Sequence, residues 1–274
     1  MSRILLAALL ASLLTSAYAE DATTSTPKIR TKNAPAAAST SAAATKATAS
    51  SSSDDVQAPD PDIIDAPTSA VLDDHAFSTR SRFYSTGGIL EYLAFGVYPG
   101  VQLGVSAAVD GFIGNQKDVR LRAPDAQVKW RFFEGDQALP SMAIGYDGQG
   151  YQYNSGFQRF NQRQRGFYIV GTKELGIPGF QIHPSFNISD FNSNAIFGCL
   201  PLTLNIRDKA ELLLEWDNIA NWSDSRFNAG LRFFLTHTFH VDFAVRAIGA
   251  GGYYSDGTPK GPERIVQLKY SNSF

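Results

Sequence analysis

His183 and Ser185 have the types and the spacing for nucleophilic chemistry. In the run His183-Pro-Ser185 an imidazole and a hydroxyl sit at i and i+2, which an extended strand presents on one face. An imidazole that close can take the hydroxyl proton and activate a nucleophile for hydrolysis. No acidic partner to orient the ring can be assigned, and a His and a Ser on a strand face are also ordinary polar wall groups. The wall reading is the stronger one. His75, His237 and His240 do not fall at metal-ligand spacing, and no Gly-rich phosphate cradle or nucleophile elbow occurs, so neither metal nor cofactor is expected. The lone Cys199 excludes an intramolecular disulfide framework.

The charged residues carry the other chemistry. They lie in short runs where apolar and polar residues alternate, the period of a strand with two unlike faces. In 225–235, Phe227, Ala229, Leu231, Phe233 and Leu235 oppose Arg226, Asn228, Gly230 and Arg232. In 209–218, Ala210, Leu212, Leu214 and Trp216 oppose Glu211, Leu213, Glu215 and Asp217. If such polar faces line one lumen, its acids are Asp110, Asp147, Glu211, Glu215, Asp217 and Asp242. Its bases are Lys129, Arg131, Arg226, Arg232, Arg246 and Lys269. The signs balance, whereas a selective pore needs a surplus of one sign at its constriction. A plugged or tightly filled bore is therefore expected in preference to an open channel.

The elements that must position these groups are about twelve alternating segments of roughly ten residues, the length a tilted strand needs to cross a bilayer. They fall near 74–84, 88–98, 101–111, 124–133, 139–147, 166–175, 178–188, 195–205, 209–218, 225–235, 239–248 and 263–274. Tight connections such as Tyr98-Pro-Gly100 and Arg207-Asp-Lys209 alternate with longer ones such as 112–123, 148–165 and 249–262. Short turns at one rim and long loops at the other are the habit of transmembrane barrels. Pro184 and Pro201 interrupt two of the segments and should mark bulges or rims.

Alternation alone would also fit a soluble sandwich. The two ends of the chain favour lipid. Residues 1–19 hold Arg3, an apolar run over 4–14 and Ala17-Tyr-Ala19, the pattern of a secretory signal peptide. That run is shorter than the ~20 residues a membrane helix needs. At the other end Val266, Leu268 and Tyr270 alternate with polar residues up to a terminal Phe274, which resembles the segment read by the barrel-assembly machinery of bacterial outer membranes. Between them, 25 of the 40 residues at 21–60 are Ala, Ser or Thr, too polar and small to offset chain entropy by burial. Residues 20–62 therefore read as a disordered periplasmic linker and 63–274 as the barrel.

With a net charge of -2 and 18% charged residues, nothing points to nucleic acid. The expected partners are outer-membrane lipid and the assembly machinery, with surface polysaccharide or cell wall as a further candidate. Loop 148–165 mixes Tyr, Phe, Gln, Asn and Arg; that suits sugars, and suits the aromatic girdle and polar rim of a barrel better.

Several blocks resemble the YjbH-type outer-membrane barrels associated with exopolysaccharide, and the shorter, uncharacterised barrels of the same layout. They are Pro124-Asp-Ala-Gln-Val-Lys-Trp-Arg-Phe-Phe-Glu134, Gly166-Phe-Tyr-Ile-Val-Gly-Thr-Lys-Glu174 and Phe227-Asn-Ala-Gly-Leu-Arg232. The resemblance implies a closed barrel and a link to polysaccharide secretion, and carries no catalytic residue. His183-Pro-Ser185 resembles in part the His-x-Ser element of lipid A deacylases, but Phe186 follows it. The expectation is thus an all-β, closed antiparallel transmembrane β-barrel of about twelve strands with a disordered N-terminal tail. It is read as a non-enzymatic accessory barrel of the outer membrane. The alternatives are a small porin-like diffusion channel and, third, a lipid hydrolase using His183 and Ser185.

Overall fold

The computed structural model describes residues 60–85, 87–114, 119–154, 159–162, 165–188, 196–220, 225–254, 257 and 259–274. The expected signal peptide, 1–19, and the expected linker up to residue 59 lie outside the described residues. The strands are β1 (Ala76–Tyr84), β2 (Gly88–Tyr98), β3 (Val101–Asp110), β4 (Arg120–Leu121), β5 (Asp125–Phe133), β6 (Ser141–Asp147), β7 (Tyr151–Asn154) and β8 (Arg159–Gln162), followed by β9 (Gly166–Glu174), β10 (Phe180–Ile182), β11 (Ser185–Ile188), β12 (Phe197–Ile206), β13 (Ala210–Asp217), β14 (Arg226–Phe234), β15 (Phe239–Ile248) and β16 (Glu263–Ser273).

Two staves are each built from two of these strands. β4 continues the line of β5 along β3, and β10 and β11 both lie between β9 and β12. β7 and β8 form a separate hairpin within a loop. Twelve staves remain, each paired antiparallel with its neighbours in sequence, and β16 pairs with β1 from Ala76↔Ser273 to Tyr84↔Ile265. The sheet is closed. That last pairing removes the free edges an open sheet would present.

The break in the stave between β10 and β11 has a chemical cause. His183 donates its N–H to the Pro201 carbonyl at 2.9 Å, but Pro201 has no N–H to return. Pro201 therefore sits inside β12 opposite the gap, where its missing donor disturbs least, while Pro184 marks the gap itself. At the short-turn rim Arg207 and Asp208 both have positive φ, the signature of a two-residue type I′ hairpin, and the Asn205 side chain accepts the Asp208 N–H at 2.9 Å.

Burial is inverted relative to a water-soluble protein. Leu93, Phe95, Leu103, Val105, Trp130, Leu231, Phe233 and Phe243 are exposed on the outer face, while Arg82, Lys129, Asp242, Arg246 and Gln267 are buried inside. Apolar outside and polar inside, on closed strands, is the pattern of a transmembrane barrel. The outer face is interrupted by Glu91, whose carboxylate accepts the Ser81 hydroxyl at 2.8 Å.

The sequence-based boundaries need one substantial correction. Residues 63–72, assigned to the barrel domain, form no part of its wall, and residues 60–62, assigned to the linker, are not free of the barrel. Together they fold into the bore. Asp62 and Pro67 form a bridge, Ile63 donates to the Ala66 carbonyl at 3.0 Å and Thr68 donates to the Pro61 carbonyl at 3.0 Å, so the segment turns back on itself at its tip. Ile63 and Ile64 cluster there with the wall residues Leu213, Ala244 and Ile265. The chain leaves past Gly96, where a Cβ would lie 1.9 Å from the Asp73 carbonyl oxygen; only glycine admits so close a backbone.

Candidate functional site: the occupied bore

The returning segment 60–72 is a plug held by charge. Asp60 meets Arg232 at 2.5 Å and Lys269 at 2.7 Å. Asp62 meets Arg165 at 3.0 Å and Arg80 at 3.3 Å. Asp65 meets Arg246 at 2.5 Å and Arg82 at 2.6 Å. Each plug carboxylate thus lies between two cations of the barrel, all on wall strands except Arg165, which precedes β9 in a loop. Burial pushes the Asp62 carboxyl up, but Arg165, Lys129, Arg80 and Lys269 outweigh it and hold the group below the usual carboxylate range. The same contest between burial and cations lowers Asp65, beside Arg246 and Arg82, and Asp60, beside Arg232 and Lys269.

The plug backbone is also satisfied by the wall. Glu215 accepts the N–H groups of Ile64 at 2.8 Å, Asp65 at 2.9 Å and Ala66 at 2.9 Å. Lys129 donates to the carbonyls of Pro61 at 2.6 Å and Ala70 at 3.2 Å. Lower on the plug, Ser69 contacts Ser141 at 2.5 Å and Leu72 donates to Gln102 at 3.1 Å.

From the long-loop rim a second segment reaches in to meet the tip. The Tyr151 ring lies between the Arg82 and Arg246 guanidiniums, 4.4 and 4.1 Å from its centroid, and its hydroxyl accepts from Arg82. Gln149 is buried and accepts the Ser106 hydroxyl at 3.0 Å. Above the tip a pocket remains between Tyr84, Asp110, Arg122, Tyr151, Tyr153 and Phe160.

All twelve charges expected in the lumen lie on inward faces, though not all at the plug. Lys129, Glu215, Arg232, Arg246 and Lys269 touch it. Asp242 braces Arg232 at 2.8 Å, Glu211 braces it at 2.9 Å, and Asp147 lies 3.3 Å from Arg165. Asp217 pairs with Arg226, Asp110 pairs with Arg122 towards the long-loop rim, and Arg131 sits near the short-turn rim beside Glu134. Sequence reasoning missed Arg80, Arg82, Arg165 and Glu263, the last bonded to Arg246 at 3.0 Å. Arg80 and Arg82 were legible from the alternation Arg-Ser-Arg in 80–82. These cations end the balance of signs, because Arg80, Arg82 and Lys129 have no acidic partner on the wall among the described residues.

Val266, Leu268 and Tyr270, the residues expected to serve as an assembly signal, occupy the outward register of β16, opposite the buried Ile265, Gln267 and Lys269. Phe274 is exposed, stacks on Phe77 at 5.2 Å and donates its N–H to the His75 carbonyl at 2.9 Å.

The candidate nucleophile and its base do not engage one another. His183 is buried with Nδ1 at 3.0 Å from the Thr172 hydroxyl and Nε2 at 3.3 Å from that of Thr203, so both ring nitrogens are taken by neighbouring staves. Asp60, His240 and Asp242 bring ligand atoms within 4.8 Å of one another, but Arg232 and Lys269 both reach Asp60 and Asp242. Protein cations already supply the charge a metal would bring.

No protein-family model matches the chain, and no curated protein matches it. Among solved structures it is similar to the KdgM porin, at TM-score 0.45 and 11% identity over 73% of this chain and 99% of that one. It is also similar to the NanC porin, at 0.40 and 11% over 72% and 99%, and to the outer membrane protein Omp33 of Acinetobacter baumannii, at 0.33 and 11% over 73% and 97%. The fold of this chain is established by its own closed strand pairing.

Proposed function

We propose that this protein is a small outer-membrane diffusion channel that prefers anions and is closed by its own residues 60–72. One observation carries the reading: among the described residues Arg80, Arg82 and Lys129 face the bore with no acidic partner on the wall, and the plug meets them with Asp62, Asp65 and the carbonyls of Pro61 and Ala70. A wall built only to be filled could pair these cations with wall acids, as Arg232 is paired with Asp242 and Glu211. With the plug withdrawn, unanswered cations at a narrow point favour anions. The apolar outer face and the C-terminal strand support the outer membrane as its place.

Planar-bilayer recording tests this with the full-length chain and its Asp60→Asn/Asp62→Asn/Asp65→Asn variant. The parent chain should conduct rarely. The variant should open often, with a reversal potential on the anion side in a salt gradient. A cation-selective variant would overturn the reading.

A second reading is an accessory barrel linked to surface polysaccharide, as the YjbH-type resemblance implies. The filled bore supports it, since a permanently plugged barrel conducts nothing. A silent bilayer for both chains would favour it.

A further inference from the structure

We infer that the cations of the bore form a binding site for a linear polycarboxylate, and that residues 60–65 occupy it as the chain's own mimic of that ligand. The inference rests on the channel reading and adds the class of solute.

The recognition is stepwise. Asp60, Asp62 and Asp65 follow one another at two- and three-residue spacing, and each is clasped by two cations from different strands or loops of the barrel. At ~3.3 Å per residue, successive carboxylates along such a chain stand roughly 7–10 Å apart at most. Five of the six cations are arginines, whose planar forks suit carboxylates better than a lysine point charge does. Three of those planes are held by contacts outside the plug: Arg80 lies 3.7 Å over the Tyr92 ring, and Arg82 and Arg246 flank Tyr151. A site whose donors are already oriented loses less entropy on binding.

The plug itself fits less well than its charges do. Gln267 is fully buried, and neither its amide nitrogen nor its oxygen has a hydrogen-bond partner among the described residues. It shares the inward face of β16 with Ile265, which packs in the cluster with Ile63 and Ile64. A buried amide left unmet is unfavourable; a hydrophilic chain or water in place of the two isoleucines would satisfy it. Simple withdrawal has its own penalty, because it strips Arg80, Arg82 and Lys129 of their counterparts. Exchange for another polyanion avoids both.

Plug release can be read directly as thiol exposure at the buried Ala66. An Ala66→Cys chain with Cys199→Ser, otherwise full length, is labelled with a maleimide in detergent. A glutamate oligomer should speed labelling about tenfold or more, in proportion to its preference for the vacated bore. Free glutamate at equal carboxylate concentration should do far less, because it lacks multivalency. Adding Arg80→Gln and Arg82→Gln should give fast labelling that the oligomer no longer changes. If high salt speeds labelling and the oligomer does no more than salt of equal ionic strength, the ligand assignment is overturned. If neither speeds it, the plug is permanent and the inference fails. A failure here leaves the conductance of the triple Asp→Asn variant to decide the channel reading by itself.

Discussion

Glu215, buried in β13, accepts the backbone N–H of Ile64 at 2.8 Å, across 151 residues of chain. The same carboxylate takes the next two N–H groups of the plug tip, so one side chain caps a turn that would otherwise bury three donors unmet. Hydrogen bonds to a charged acceptor contribute more than neutral ones, about 1.5–3 kcal/mol each.

Glu215→Gln should therefore loosen the plug without opening the wall. The amide presents one acceptor and turns a donor towards the N–H groups. Labelling of the Ala66→Cys thiol should accelerate roughly 10- to 100-fold, the equivalent of about 1.4–3 kcal/mol, while heat-modifiable gel migration of the barrel stays as in the parent.

Acid should not release the plug until the carboxylates themselves protonate. Asp60, Asp62 and Asp65 have folded-state values below their ordinary one, with His240 also beside Asp60. A depressed carboxyl contributes stability that is fully present above its ordinary pKa and is lost as pH falls through the lowered value. In a Glu215→Gln background, which removes the wall carboxylate bonded to the plug tip, thiol exposure at position 66, followed with a pyridyl-disulfide reagent that reacts in acid, should stay flat from about pH 7 to about pH 5 and rise only below about pH 4. A rise near neutrality would contradict the ion-pair account.

Closure has a register that cross-linking can read. Ser78 stands opposite Ser271 in the β1–β16 pair, so Ser78→Cys with Ser271→Cys, in a Cys199→Ser background, should oxidise to an intramolecular disulfide and speed the denatured chain on a gel. Moving the second cysteine to Asn272 places it on the other face, and that pair should stay reduced.

The lipid face should reject charge according to depth. Leu231→Arg, in the middle of β14, should lower the stability of the barrel folded into vesicles by about 2–4 kcal/mol, whereas Leu235→Arg at the rim should cost about 0–1 kcal/mol. Equal effects at both positions would mean that this face does not meet hydrocarbon.

The wall was legible in the sequence because its information is local. A strand shows its two faces in every second residue, so 225–235 announced both the lipid face of β14 and the inward Arg226 and Arg232, and the expected segments lie within two residues of the observed staves at both ends, except that β4 extends the stave of β5 back to Arg120. At His183-Pro-Ser185 the spacing could not name the partners of the ring, since neighbouring strands, through Thr172 and Thr203, and not Ser185 at i+2, supply them. Arg165 was hidden because it precedes β9 in a loop, where no alternation assigns a face.

The sequence by itself determined a wall of about twelve strands, an inward polar lining and an alternating last segment running up to Phe274, all of which follow from a two-residue period and from turn chemistry. Only the tertiary structure decided what fills the lining. Asp60-Pro-Asp62 and Asp65 look like solvated punctuation after an Ala/Ser/Thr-rich run, because composition records how polar a segment is and not which charges surround it. Their partners Arg80, Arg165, Arg232, Arg246 and Lys269 come from five separate parts of the chain. Closing the sheet is what brings those guanidiniums and that ammonium around a single axis, and there a polar segment is bound by charge that no local pattern in its own residues encodes.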